Sequence, residues 1–227
     1  MARKQAGDKR QRRPRAGRVP ARKLAGFDER ILANGVQRLA GVDEAGRGAL
    51  AGPVVAAAVV LRPDASLPEL RDSKRLTPRK RQSLYQQVLE LAECWAIGVV
   101  DSETVDAVNV LRATHQAMGA AVRGLKPPPD HLLVDGLPVP SLPIAHTAVV
   151  GGDDLSLRVA AASVIAKVER DRIMCELGVR YPQYGFAQNK GYGTRLHRAA
   201  LRQHGACPAH RMTFGPLKLL AQEEMEL

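Results

Sequence analysis

Residues 41–61 read GVDEAGRGALAGPVVAAAVVL, and the fold turns on how this stretch divides. A short apolar approach, Leu39 to Val42, ends in two adjacent acids, Asp43 and Glu44. Gly46 and Gly48 then bracket Arg47, and from Pro53 an apolar run continues to Leu61. RLAGVD (38–43) reads as a strand, and PVVAAAVVL (53–61) as a second, longer one whose unbroken apolarity suits burial on both faces. The glycines between them make the turn. Packing alone does not ask for paired acids at the mouth of such a turn.

Further along, the elements alternate, and no internal repeat is present. Thr77-Pro78 has N-cap and first-turn chemistry, opening a helix to about residue 93. CWAIGVV (94–100) returns as a strand. Asp101 or Ser102 caps a short helix, and VLRATHQAMGAAVRGL (110–125) forms a longer one, stopped by Gly124 and Pro127-Pro128-Pro129. HLLVD (131–135) and IAHTAVV (144–150) are two more strands, and the stretch from Leu155 to Tyr181 is a long helix whose alanines, Ala160 to Ala162 and Ala166, allow close approach to a sheet. Hairpin-like strands followed by strand and helix in alternation predict an α/β fold, a mixed sheet covered by helices.

With 227 residues, 45% hydrophobic and only 4% aromatic, the chain supports one domain with an appendage and a core of Ala, Val and Leu. Cys94, Cys175 and Cys207 are odd in number and form no Cys-x-x-Cys pair, which points away from a zinc or redox site and toward reduced thiols. No apolar run is long enough for a membrane span, and the basic N-terminus has no signal-like core, so a cytoplasmic, unexported monomer is expected. Residues 1–26 hold ten Lys and Arg against the single acid Asp8, so nine of the eleven net positive charges sit there. Such a segment cannot bury enough apolar surface to order itself. Residues 1–37 are therefore expected to form a disordered, polyanion-seeking arm, with a catalytic domain over 38–220 and an acidic tail over 221–227.

In open sheets, ligand chemistry gathers beyond the carboxyl ends of strands. Asp43 and Glu44 end the first strand, Asp135 ends HLLVD, and Asp153 follows IAHTAVV after two glycines. Singly each has an ordinary explanation: a solvated turn, an Asp-Gly turn, a helix cap. Together they predict a carboxylate cluster that repels itself unless cations occupy it. Hard oxygen donors suit Mg²⁺ or Mn²⁺, and a two-metal site sets its ions about 3.5–4 Å apart across a phosphodiester displacement. Gly46, Arg47 and Gly48, directly after two of these acids, read as a substrate clamp with a charged fork for phosphate or sugar oxygens.

These residues resemble the ribonuclease HII family, the type 2 bacterial ribonucleases H. GVDEAGRGALAGPVVAAAVVL, DSKRLTPRKR, LLVDG, AAASVIAKVERDRIM, YPQYGFAQNKGYGT and HRMTFGP are similar to its motifs, in its order, from about Leu39 to Leu219. The resemblance implies an RNase H-like mixed β-sheet flanked by helices, with a C-terminal helical and loop extension. It also implies two-metal hydrolysis, with Mg²⁺ or Mn²⁺, of the RNA strand of RNA–DNA hybrids, and nicking 5′ of ribonucleotides embedded in duplex DNA, giving 3′-hydroxyl and 5′-phosphate ends. On this resemblance Asp43, Glu44, Asp135 and Asp153 are the catalytic metal ligands, Gly46-Arg47-Gly48 senses the 2′-hydroxyl, and Tyr192 packs on the neighbouring sugar. One departure stands out: where the family commonly has Lys-Gly-Asp, this chain has Gly151-Gly152-Asp153 and a further acid, Asp154. Asp153 keeps the motif position, while Asp154 is placed to cap the helix.

Ser73 and Lys74, in a loop, resemble phosphate-binding residues of the family, against an ordinary basic loop. Ser163 and Lys167, four apart on one helix face, fit a shared backbone phosphate or an exposed edge. Tyr181 to Tyr192 interleaves aromatics with Lys190, as nucleic-acid grooves do, although Tyr181 and Phe186 are expected in the core. The six histidines show no ligand spacing and none is given a catalytic role. Two rivals stand beside this reading: an RNase H-like resolvase or transposase core, and a basic nucleic-acid-binding protein without turnover.

Overall fold

The computed structural model describes residues 21–70, 77–215 and 217–218. Among these residues five strands form one mixed sheet. β1 (Leu39–Ala45) lies at its centre, antiparallel to β2 (Val54–Leu61), which is antiparallel to β3 (Ala92–Val100). On the other side β1 runs parallel to β4 (His131–Asp135), and β4 parallel to β5 (His146–Val149).

Helices cover both faces because β2 is apolar at every position. Ala57, Val59 and Leu61 face one way, into a cluster with Val164, Ile165 and Val168 of α5 (Leu157–Arg180) and Leu84 and Val88 of α2 (Pro78–Leu91). Ala56, Ala58 and Val60 face the other, against Ala113, Ala117 and Val122 of α4 (Val110–Gly124). Each fully buried Val or Ile stabilises the fold by about 1.5–3 kcal/mol. Two glycines set how closely the helices approach. A Cβ on Gly41 would lie 2.1 Å from the Arg158 carbonyl carbon, and one on Gly98 2.0 Å from the Ala117 oxygen, so on each face backbone touches backbone.

Helix ends follow side-chain chemistry. Thr77 caps α2 and Asp101 caps α3 (Ser102–Val108), each accepting an amide hydrogen bond. The long helix α5 departs from expectation at its start. Ser156 is the N-cap, bonded to the Val159 amide, and Asp154 instead sits exposed in a single 3₁₀ turn, Gly152–Asp154. The capping oxygen must lie immediately before the first helical residue, and the intervening turn takes Asp154 out of reach.

The expected disorder of residues 1–37 does not hold from residue 21 onward. Ala21–Leu32 forms α1, and Phe27, Ile31, Leu32 and Val36 pack on Leu39, Leu133, Val149 and Val159. Asp28, buried, accepts from the Arg158 amide at 3.2 Å and from its Nη1 at 3.1 Å. An i,i+4 apolar pair and one buried ion pair outweigh the local excess of positive charge. Residues 1–20 and the acidic tail lie outside the described residues.

At the other end, Tyr184, Phe186, Leu201 of α7 (Arg195–His204) and Ala209 form a small core of their own with Leu50, Ala51 and Met174, joined by α6 (Phe186–Asn189). This extension is stitched to the β1–β2 turn by Leu50 N–H to Gly191 O, Gly52 N–H to Ala209 O and Arg211 N–H to Leu50 O, at 2.8–2.9 Å. Among the described residues no helix is long and apolar enough to cross a membrane.

Candidate active site

Parallel pairing of β1 and β4 sets Val42 opposite Val134, so the next residue on each strand, Asp43 and Asp135, emerges at the same sheet edge. Asp43, Glu44 and Asp135 each offer a carboxylate oxygen within 4.8 Å of the other two. Asp43 is buried and the others are partly exposed. Its Oδ1 accepts the Glu44 amide at 2.6 Å, and Asp135 Oδ1 accepts the Gly152 amide at 2.7 Å.

Burial, and then the charges of Glu44 and Asp135, push the Asp43 carboxyl well above the usual carboxylate range, against hydrogen bonds from Ser163 and the Glu44 amide. The cluster is held at electrostatic cost, which a cation offsets. Arg47 supplies part of that countercharge, its Nη1 3.0 Å from Glu44 Oε1. Three carboxylates without a histidine or thiolate form a hard-oxygen donor set that fits Mg²⁺ or Mn²⁺. Asp153 is buried one residue beyond the Gly152 amide that bonds Asp135, but the close trio forms without it.

Ten residues line a cleft of about 250 Å³ at this edge: Asp43, Glu44, Ala45, Gly46, Arg47, Gly48, Asp135, Ser163, Lys167 and Tyr192. The two turn glycines differ in kind. Gly46 has φ +95° and a Cβ there would meet Arg170 Nε at 1.9 Å, so the space is filled by the protein itself. A Cβ on Gly48 would meet nothing within 4 Å, and that side is open to a ligand.

Ser163 and Lys167 turn out to have separate partners. Ser163 is buried beneath the cleft and serves Asp43, whereas Lys167 Nζ sits 2.5 Å from Asp171 Oδ1. Tyr192, 39% exposed, presents a ring to Lys167 Nζ at 5.9 Å and to the Arg170 guanidinium at 5.5 Å. Ser73 and Lys74 fall within 71–76, outside the described residues.

Sequence reasoning missed what lies behind the cleft. Arg170 is buried and donates to the carbonyls of Pro53, Lys190 and Ala51 at 2.9–3.1 Å. Arg211, also buried, donates to Gly52 O and, at 2.9 Å, to Arg47 O. A helical-period count from Ser163 through Lys167 to Arg170 would have flagged the first, since i, i+4 and i+7 share one face. Arg211 falls inside the HRMTFGP stretch, which carries the family resemblance but gives this residue no role.

A family model described as "Ribonuclease HII" matches residues 40–216, nearly the whole described domain. The chain belongs to the ribonuclease HII family. Ribonuclease HII of Geobacillus kaustophilus is 52% identical over 204 residues, covering 89% of this chain and 78% of its own. That of Syntrophobacter fumaroxidans is 48% identical and covers 92% of both chains. The ribonuclease H2 of Pyrococcus horikoshii superposes with a TM-score of 0.70 at 25% identity, over 84% of this chain and all of its own. As a ribonuclease HII, the protein is a hydrolytic endonuclease with the RNase H-like sheet, and its family is divalent-metal dependent.

Proposed function

We propose that this ribonuclease HII hydrolyses the RNA strand of RNA–DNA hybrids and nicks duplex DNA 5′ of an embedded ribonucleotide, leaving 3′-hydroxyl and 5′-phosphate ends. The observation that carries it is the convergence of three carboxylates with a Gly-Arg-Gly turn in one cleft. Asp43, Glu44 and Asp135, with Asp153 as the fourth acid, would hold two divalent ions, Mg²⁺ or Mn²⁺. When bound, such ions supply activation of the attacking water and stabilisation of the leaving 3′-oxygen.

The chain's own residues place the substrate. The open side of Gly48 and the backbone of the turn approach the ribose, where the 2′-hydroxyl distinguishes RNA from DNA. Arg47, half exposed on the rim, would offer its guanidinium to sugar or phosphate oxygens in place of Glu44. Tyr192 stacks on the adjoining sugar, and Lys167, together with Ser73 and Lys74, meets the backbone phosphates. The working unit is taken as a monomer on nucleic acid.

End-mapped cleavage of a labelled DNA duplex carrying one ribonucleotide tests this, with either metal and with chelator. A metal-dependent nick 5′ of the ribonucleotide is expected, with no cut on all-DNA duplex. Asp43→Asn should lower it by more than about a hundredfold, beyond the loss typical of residues outside the metal's direct ligands. Tight binding without a cut would leave only a binding protein, and cleavage of an all-DNA junction would favour a resolvase-like reading.

A further inference from the structure

The HRMTFGP segment has no part in the mechanism above, yet its first residue is buried against His197, which in turn meets the Tyr192 backbone. His210 and His197 are 2% and 0% exposed, and their Nε2 atoms are 3.0 Å apart. His197 Nδ1 is 3.0 Å from the carbonyl oxygen of Tyr192. His210 Nδ1 is 2.9 Å from the Cys207 amide, which donates to it.

These contacts dictate where the protons are. Because His210 Nδ1 accepts, its hydrogen is on Nε2 and points at His197 Nε2. His197 Nε2 must therefore accept, which puts its own hydrogen on Nδ1, donating to Tyr192 O. The Cys207 carbonyl, 3.2 Å from His210 Nδ1, already receives the His210 amide at 2.9 Å and needs nothing from the ring. Burial favours the uncharged form of both imidazoles, in agreement with one shared proton order.

We propose that His197 and His210 are positioning residues for ribonucleotide recognition: as one neutral, proton-ordered pair they set Tyr192 at a fixed distance from the Gly46–Gly48 turn. The neighbour of His210 completes the link, since Arg211 donates to Arg47 O in the turn itself. One dipeptide thus holds both walls of the cleft, the tyrosine through two imidazoles and the turn through a guanidinium. Because each ring has one proton and each contact uses a definite nitrogen, the link has a single arrangement. The assignment of Tyr192 to a substrate sugar rests on the function proposed above; the proton order does not.

Long-range ¹H–¹⁵N correlation spectra of histidine-labelled protein at pH 7 read the proton order directly. His197 is expected as the Nδ1–H tautomer and His210 as Nε2–H; His197 as Nε2–H, or either ring charged, would overturn the proposal. The kinetic arm compares His197→Asn, which keeps a donor near the Nδ1 position, with His197→Phe, which keeps only the ring. His197→Phe should lose about ten- to a hundredfold in kcat/KM on a single embedded ribonucleotide, the scale set by a misplaced contact, and less on a continuous hybrid. His197→Asn should recover most of that loss. Equal losses on both substrates, or no recovery in His197→Asn, would make the pair structural only. If His197→Phe does not fold, the wild-type spectra and His197→Asn still decide. Wild-type protein that ignores embedded ribonucleotides while showing the expected tautomers would overturn the substrate reading and spare the proton order.

Discussion

At Asp43 a single side chain carries both the function and its cost. Its carboxyl is buried between two other acids, and its ionisation is raised in pH by burial first and by Glu44 and Asp135 next. A carboxyl raised in this way loses stability for the fold as pH climbs from its unfolded value near 3.8 through its folded value. With chelator present, Asp43→Asn is therefore expected to melt above wild type, by a margin that is small at pH 4 and grows toward pH 8. Added Mg²⁺ should shrink that margin by stabilising wild type alone; differential scanning fluorimetry at several pH values reads both effects. The two glycines of the clamp separate in the same way. Gly46→Ala, at positive φ and against Arg170, should cost about 2 kcal/mol or more in chemical denaturation. Gly48→Ala faces open space, so its stability should stay within about 0.5 kcal/mol of wild type while kcat/KM on an embedded ribonucleotide falls.

Among the elements, α5 does the most positioning. It crosses β1 at Gly41, carries Ser163 beneath Asp43, and sends Arg170 under the clamp. Its first turn is anchored both to the sheet and from outside it, where Arg158 bonds Leu39 O of β1 and the buried Asp28 of α1. Asp28→Ala would leave Arg158 buried without its partner and should cost about 3 kcal/mol in urea unfolding, as broken buried pairs do. A loss within about 0.5 kcal/mol would show that α1 does not hold α5 in solution. Most of the element order was legible in sequence, because period-2 and period-3.6 patterns are local: HLLVD is β4 residue for residue, Thr77 caps as expected, and of the two candidates Asp101 and Ser102 it is Asp101 that caps α3. The misjudged places, α1 and the start of α5, are where a distant partner or an inserted turn overrides local composition.

Taken whole, the molecule joins a sheet domain to a C-terminal extension through the β1–β2 turn, and the cleft lies on that seam. The extension's buried histidines make the seam sensitive to acid. Burial, then the neighbouring His197, lowers His210 from 6.5 to about 4. An imidazole held neutral contributes full stability above its unfolded value and loses it as pH falls from 6.5 toward 4, a loss on the order of 3 kcal/mol for this shift. The groups facing it are His197, the Cys207 backbone, the Tyr184 ring at 4.7 Å and the Phe186 ring at 5.4 Å, with Arg211 next in the chain. Unfolding measured in Asp43→Asn, where the opposing carboxylate is gone, should follow that slope, and an NMR titration should show no His210 transition near 6.5. The sequence by itself determined the family, the order of the strands and of helices α2 to α5, and four candidate acids with a glycine–arginine turn near strand ends, since each is written in contiguous residues. Tertiary structure alone decided that Asp43, Glu44 and Asp135 form the close trio, that Gly46 seats an arginine while Gly48 stays open, and that His197 meets His210. Those outcomes depend on strand register and on contacts between residues far apart in the chain, which no local pattern encodes.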